Sequence, residues 1–383
     1  MEEAIGMGSV DSEARDDEVR VTVGVDTHRD QHVGVALDQF GRRLGTRSVP
    51  TTPAGFAELV AWARTFGTLK QLGVEGTGSY GAGLTRWLRA RGLAVIEVDR
   101  PRRQDRQARR RRGKSDPLDA QAAARAVQAG TVVGHPKAGD GQVEMIRTLR
   151  LARRSAMKAR TQAANQLHAL VVTAPDDLRA RLRPLPMAEL VTLVAAFRPV
   201  RSGTALGTPL AAAKLALKGL AIRYRQLSAE IDALDGHLEQ LVSTAAPELV
   251  AVKGVGTDIA GALLVAAGDN PDRLRSEAAF ASLCGVAPIP ASSGRTNRHR
   301  LSRGGDRDAN RALYLLALGR MGWDPATRTY VTRRTTAGLS KPEIIRCLKR
   351  YIAREIYRIL VKPSASISPP ADGDEAQRSA IAS

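Results

Sequence analysis

The sequence is short of three things, and each shortage narrows what the chain can be. It holds only two cysteines in 383 residues, Cys284 and Cys347. Their separation is no metal-ligand spacing, which argues against a disulfide scaffold and against a zinc site. Cys347 lies in the apolar-periodic stretch Ile344-Ile345-Arg346-Cys347-Leu348 and is read as core rather than chemistry. No apolar run reaches membrane-spanning length, and the opening Met1-Glu2-Glu3-Ala4 is acidic where a signal peptide would be basic. The expectation is a soluble cytoplasmic protein with no membrane partner. Acids are scarce relative to bases: 39 Asp and Glu face 58 Lys and Arg, a net charge of +19. A cationic surface of that size attracts polyanions, and nucleic acids are the usual soluble ones. A ribosome-associated or merely basic soluble protein is the alternative.

What is present divides along the chain. Residues 1–18 are charged and aperiodic, which reads as a loose tail. Val19, Val21, Val23 and Val25 then alternate with polar or small residues, the period of a half-buried strand. A second alternation runs from His32 to Asp38, and a third extended segment ends near Pro50. Thr52-Pro53 reads as a helix N-cap and first helical residue, followed by Phe56, Leu59, Val60 and Ala63 on one face. Strand candidates at Leu72–Glu75 and Ala94–Val98 flank a helix through Leu84–Arg91. Three early strands followed by alternating helix and strand indicate an α/β sheet domain over residues 19–140.

The middle of the chain, residues 141–245, reads as a helical connector. Leu220, Tyr224, Leu227, Ile231, Leu234, Leu238 and Leu241 alternate spacings of four and three, a coiled-coil seam. An earlier helix near Val143–Val171 has compatible spacing, interrupted by Arg153 and Arg160. The pair suggests either an antiparallel hairpin or a dimerising stalk. Residues 246–361 become compact and helical, ending in a basic amphipathic helix over Pro342–Leu360. Residues 362–383 are rich in Ser, Pro and Ala and read as disordered. The fold class is therefore α/β followed by all-α.

Four acids stand out. Asp26 and Glu75 each end a strand candidate beside small residues, and Asp116 and Asp119 sit three apart, on one face if helical. Four carboxylates in one cleft repel, and divalent cations make such a cluster tolerable. Two magnesium ions about 4 Å apart would clamp the attacking and leaving oxygens of a phosphoryl transfer. The structural alternatives are that Asp116 is an N-cap, that Asp119 serves the helix dipole, and that Asp26 is a turn residue. Glu97 and Asp99 also end a strand and compete for a site role. Immediately before Asp116, residues 100–112 hold eight arginines; Arg102, Arg103, Arg106, Arg109, Arg110, Arg111 and Arg112, with Lys114, are suited to holding phosphates.

Three segments now resemble a family. Val25-Asp26-Thr27-His28, Val74-Glu75-Gly76-Thr77-Gly78-Ser79-Tyr80 and Lys114-Ser115-Asp116-Pro117-Leu118-Asp119-Ala120 are similar, in order and separation, to the DEDD transposases of bacterial insertion sequences. This is the one-ten family, also called bridge recombinases. The resemblance implies an RuvC-like N-terminal domain of RNase H type, with Asp26, Glu75, Asp116 and Asp119 as its magnesium-binding quartet. Later segments fit too. Leu249-Val250-Ala251-Val252-Lys253-Gly254-Val255-Gly256 resembles the opening of the family's transposase domain. Gly-Val-Gly between helices is also a signal for glycine amides approaching a DNA phosphate beside Lys253.

Leu283-Cys284-Gly285-Val286-Ala287-Pro288, Ser292-Ser293-Gly294-Arg295 and Leu301-Ser302-Arg303-Gly304-Gly305-Asp306-Arg307 extend the likeness. By resemblance, Ser293 is the nucleophile that joins covalently to DNA, with Ser292 the alternative. A serine hydroxyl is a weak nucleophile, and Arg295, Arg298, Arg300 and Arg303 would supply a positive field for the scissile phosphate. The chain departs from the family at Ser302-Arg303, where Thr-Lys or Ser-Lys is common. The resemblance covers about residues 20–130 and 245–360. It implies an enzyme that excises and inserts its element in double-stranded DNA, with a structured guide RNA selecting the sites. A homo-oligomer with a composite site between protomers is a further expectation. The rival readings are an RuvC-like nuclease hydrolysing branched DNA with metal-activated water, and a non-catalytic nucleic-acid-binding protein.

Overall fold

The computed structural model describes residues 18–98, 115–132, 134–198, 208–292, 299–300, 302 and 304–361. It divides into two compact units: residues 1–245 with 267–273, and residues 246–266 with 274–383. No helix among the described residues is long and apolar enough to cross a membrane.

The first unit is built on a mixed five-stranded sheet. Strands β1 (Arg20–Thr27), β2 (Gln31–Leu37) and β3 (Arg43–Pro50) are antiparallel neighbours. Helix α1 (Pro53–Arg64) follows, capped by Thr52, whose hydroxyl accepts from the Gly55 amide. Phe56, Leu59, Val60 and Ala63 form its buried face, as the sequence spacing predicts. Strand β4 (Thr68–Glu75), helix α2 (Ala82–Arg89) and strand β5 (Val95–Val98) complete the sheet in the order β3-β2-β1-β4-β5. The β1–β4 and β4–β5 pairs are parallel. Val21, Val23, Val25, Leu72 and Val74 point to one face, where they pack with Phe56, Leu59, Leu84 and Leu88 from α1 and α2.

The opposite face carries α3 (Asp116–Gln128). Period-two alternation turns Thr22, Gly24 and Asp26 of β1, and Gly73 and Glu75 of β4, to this side. Gly24 and Gly73 are register partners on adjacent strands. A Cβ on Gly24 would stand 2.0 Å from the Ala120 carbonyl oxygen and 2.3 Å from the Ala124 amide nitrogen. A Cβ on Gly73 would stand 2.6 Å from Val127. The helix thus lies with its own backbone against the strand, on a floor from which side chains are missing. Its facing residues match: Ala120 and Ala124 cluster with Val35 and Leu37, and Ala123 and Val127 with Val98.

Helices α4 (Gln142–Thr173), α5 (Asp176–Leu182), α6 (Met187–Ala195) and α7 (Pro209–Ala245) complete this unit. The two long helices pack on each other within the chain as an antiparallel pair. Arg153 of α4 pairs with Asp235 of α7. Arg160 lies 5.9 Å over the Tyr224 ring, and Leu167 and Val171 cluster with Leu217 and Ala221. The arginines that interrupt the apolar spacing of α4 are therefore spent on α7.

Residues 267–273 add a short strap to the first unit. Asp269 accepts from the Val143 amide at the start of α4, and Asn270 accepts from the Ala138 amide and donates to the Pro136 carbonyl.

The second unit is helical: α8 (Pro247–Val250), α9 (Thr257–Ala267, whose last residue joins the first unit), α10 (Glu277–Leu283), the two-residue strands β6 (Ile289–Pro290) and β7 (His299–Arg300), α11 (Arg307–Trp323), α12 (Pro325–Thr336) and α13 (Lys341–Val361). The apolar face of α13, including Ile344, Leu348, Ile352 and Ile356, is buried. Glu277 on α10 receives Arg350 and Arg354 from α13.

The glycine floor makes a prediction. Gly24→Ala forces α3 off the sheet and should cost about 1–3 kcal/mol or more, the usual range for overpacking. Gly236→Ala on α7, where a Cβ meets nothing within 4 Å, should be neutral or stabilising by about 0.4–1 kcal/mol. Urea midpoints of the two variants check this. Equal midpoints would contradict the close seating of α3.

Candidate metal centre and strand-exchange residues

Asp26 stands one residue before the end of β1, two positions beyond Gly24 and on the same face. Its side chain is largely buried. Glu75 ends the neighbouring parallel strand, one step past the Val25–Val74 register pair. The two strand ends are tied together where the Thr27 hydroxyl donates to the Glu75 carbonyl oxygen at 2.8 Å. Gly76 then turns the chain with φ of 68°, a conformation that suits glycine.

The first turn of α3 supplies Asp116 and Asp119. Ser115 is the N-cap residue and makes no side-chain cap bond, while Asp116 is the first helical residue. The alternative of Asp116 as the N-cap is therefore corrected. Its Oδ1 instead faces His28 Nε2 at 3.3 Å, and the same nitrogen lies 3.2 Å from Asp26 Oδ2. Ligand atoms of Asp26, His28 and Asp116 all lie within 4.8 Å of one another. His28 Nε2 is buried and points at both carboxylates. One ring nitrogen and two carboxylate oxygens so grouped make a donor set that fits a divalent cation.

Electrostatics agree. Burial pushes the Asp26 carboxyl above its ordinary value; His28 pulls it down, while Asp116 and Asp119 push it further up. Asp119 is thus close enough to be felt, although Asp26, His28 and Asp116 form the tight group. Glu75 contributes a side chain to the same face of the sheet. Sequence reasoning quoted His28 within a motif and gave it no role. The available signal was its position directly after the strand that carries Asp26, two residues further on.

The rival Glu97 is committed elsewhere. It accepts from the Thr77 hydroxyl and pairs with Arg273 at 3.3 Å. Its neighbour Val98 packs on the α3 face, so alternation turns Glu97 away from Asp26. Asp99 lies outside the described residues.

In the second unit, β6 and β7 pair through Ile289–Arg300 and Pro290–His299. The segment between them carries the candidate serines. Ser292 is exposed; Ser293, Arg295 and Arg298, and beyond β7 Arg303, lie outside the described residues. Arg300 is exposed on β7. The chain entering and leaving this region is clasped at its base. The Asp306 amide donates to the Leu283 carbonyl at 2.6 Å, and Asn310 Nδ2 donates to the carbonyls of Cys284 and Gly285. The buried Lys349 amine donates to Asn310 Oδ1 at 2.9 Å. Gly285 and Gly305 meet at backbone distance, since a Cβ on Gly305 would lie 2.5 Å from the Gly285 amide nitrogen. Burial pushes the Cys284 thiol up to about 12, so it is inert packing beneath this clasp.

Among the other cationic candidates, Lys253 is exposed, with its amine 4.4 Å over the Trp323 ring. Arg102, Arg103, Arg106, Arg109, Arg110, Arg111, Arg112 and Lys114 all lie outside the described residues.

Two family models match the chain, together over more than half of it. One, described as a DEDD transposase of the IS110 type, covers residues 23–174; the other, described as the transposase IS116/IS110/IS902 family, covers residues 246–332. The chain is 35% identical over 139 residues to the insertion element IS110 uncharacterized 43.6 kDa protein of Streptomyces coelicolor, covering 36% of this chain and 32% of that protein. It is 30% identical over 113 residues to the insertion element IS900 uncharacterized 42 kDa protein of Mycobacterium paratuberculosis, covering 29% and 28% respectively. These alignments span less than a third of either relative's own length.

The carboxylate cluster predicts a metal-dependent stability. A group whose folded-state pKa is raised contributes stability below its unfolded value and loses it as pH climbs through the raised value. At pH 7 without metal, Asp26 therefore opposes folding. In EDTA, Asp26→Asn should unfold no earlier than wild type, with a flatter decline as pH rises above the ordinary carboxylate range. Magnesium at a hundredfold its dissociation constant should stabilise wild type by about 2.7 kcal/mol and leave Asp26→Asn unmoved. A variant that melts earlier in EDTA would contradict this reading.

Proposed function

Because the chain belongs to the IS110 transposase family, we propose that it is a DNA transposase. It excises and inserts an insertion sequence by serine-dependent strand cleavage and exchange at sites selected by a structured RNA. The observation that carries this reading is the convergence of Asp26, His28 and Asp116 on the glycine-floored face of the sheet, with Glu75 on the neighbouring strand end. The strand order β3-β2-β1-β4-β5 is what an RNase H-like, RuvC-type domain over residues 19–140 requires. The proposed division continues with a connector over 141–245 and a transposase domain over 246–361.

In this reading Asp26, Glu75, Asp116 and Asp119 hold two Mg2+ ions. When bound, the ions supply charge neutralisation for a transferring phosphoryl group. Ser293 attacks a DNA phosphorus through its hydroxyl oxygen. The phosphodiester bond to one deoxyribose oxygen breaks, that oxygen takes the proton, and a phosphoserine ester remains. Attack by a hydroxyl of a second strand reverses the step and restores Ser293. Arg295, Arg298, Arg300 and Arg303 offset the charge developing on the phosphate. The clasp of Asn310 and Lys349 holds together the base of the segment that carries this serine. The arginines of residues 100–112 with Lys114, and Lys253, bind DNA and RNA backbone, so binding weakens steeply with salt. A homo-oligomer is part of the same reading.

Covalent trapping tests this. Purified protein, labelled DNA carrying the element ends and target, the flanking RNA and magnesium are combined, denatured and resolved. The expected outcome is a DNA-linked protein band that disappears in Ser293→Ala and in Asp26→Asn. Cleavage that needs Asp26 but not Ser293, with no covalent band, would replace the proposal with a hydrolytic nuclease.

A further inference from the structure

The four acids read from the sequence leave His28 unexplained, yet the structure puts its ring between two of them, Asp26 and Asp116. His28 leaves the end of β1 two residues after Asp26. Its backbone is fixed there: its amide donates to the Gln31 carbonyl, and its own carbonyl accepts from the Thr51 hydroxyl. The ring is partly exposed, but Nε2 is turned inward and buried. It faces Asp26 Oδ2 and Asp116 Oδ1 at nearly equal distances, 3.2 and 3.3 Å. A position shared by one ring nitrogen and two carboxylate oxygens, all within 4.8 Å of one another, is that of a ligand set.

The donor type matters. Magnesium takes oxygen ligands almost exclusively, whereas imidazole nitrogen strengthens binding of transition metals, and Mn2+ accepts both. We propose that His28 is a nitrogen ligand of the cation held by Asp26 and Asp116, and that it biases this position toward Mn2+ over Mg2+. The inference rests on the metal-dependent reading above and adds to it a ligand and a selectivity.

The test is pulsed electron paramagnetic resonance of Mn2+ on the untagged full-length chain, joined to calorimetric titrations with Mn2+ and Mg2+. Wild type should bind Mn2+ with a 14N coupling of histidine type. His28→Asn should retain Mn2+, lose the coupling, and lose about tenfold or more of its preference for Mn2+ over Mg2+, the scale on which even outer ligand partners act. Asp26→Asn should lose the bound Mn2+ altogether. Mn2+ that depends on Asp26 but shows no 14N coupling, or a coupling that survives in His28→Asn, would overturn the role of His28 and leave the carboxylate centre standing. No Asp26-dependent Mn2+ in wild type would overturn the metal centre itself and His28 with it. The wild-type spectrum decides the ligand question even if a variant folds poorly.

Discussion

The structure of the first unit depends on one close contact, the seating of helix Asp116–Gln128 on the glycine pair Gly24 and Gly73. With no side chain at either position, Ala120 and Ala124 meet the strand backbone directly. The lengths then match. Four residues of helix from Ala120 back to Asp116 span about 6 Å, and two residues of strand from Gly24 to Asp26 span about 6.6 Å. The helix runs against the direction of β1, so its N-terminal turn and the C-terminal end of the strand meet. Asp116 arrives opposite Asp26 because the floor beneath Ala120 is empty. The amide dipoles of that first helical turn also favour the negative charge collected there, which offsets part of the repulsion.

Glycine is used again in the second unit, for a different end. Gly285 and Gly305, both at positive φ, bring the two limbs of the segment around β6 and β7 into backbone contact. Asn310 then donates to the carbonyls of Cys284 and Gly285, and Lys349 holds Asn310 in place by donating to its Oδ1. A lysine almost wholly buried is costly unless it is paired. Its contact with Asn310 ties the central helix of the unit to the base of the segment. In both units, close backbone approach places a polar segment on a rigid base, and the apolar core lies behind it.

Much of this was legible in sequence. Period-two alternation identified β1 and β2, and Thr52-Pro53 placed the start of α1, because these signals are local. The four acids were visible as types at strand ends and a helix start. Their convergence was not, since it depends on which residue of β1 pairs with which of β4, and Gly24 and Gly73 carry no local sign of being partners. His28 reads as a turn residue until the turn is seen to direct its ring inward. The seam from Leu220 to Leu241 could not say whether its partner lay in the same chain, because heptad spacing is the same for either. Arg153 and Arg160 looked like flaws in a seam, and Asp235 and Tyr224 explain them only once the antiparallel pairing is known. The arginine-rich run of residues 100–112 is the reverse case: composition speaks clearly there, and its reading rests on sequence alone.

The central claim is that a glycine-seated helix creates a divalent-cation site at the end of β1. The most direct measurement is an anomalous difference map from crystals of the full-length chain soaked in Mn2+. The account predicts a peak in contact with the carboxylates of Asp26 and Asp116, with Ala120 still seated over Gly24. Manganese bound elsewhere while that position stays empty, or a helix lifted from the glycine floor, would contradict it.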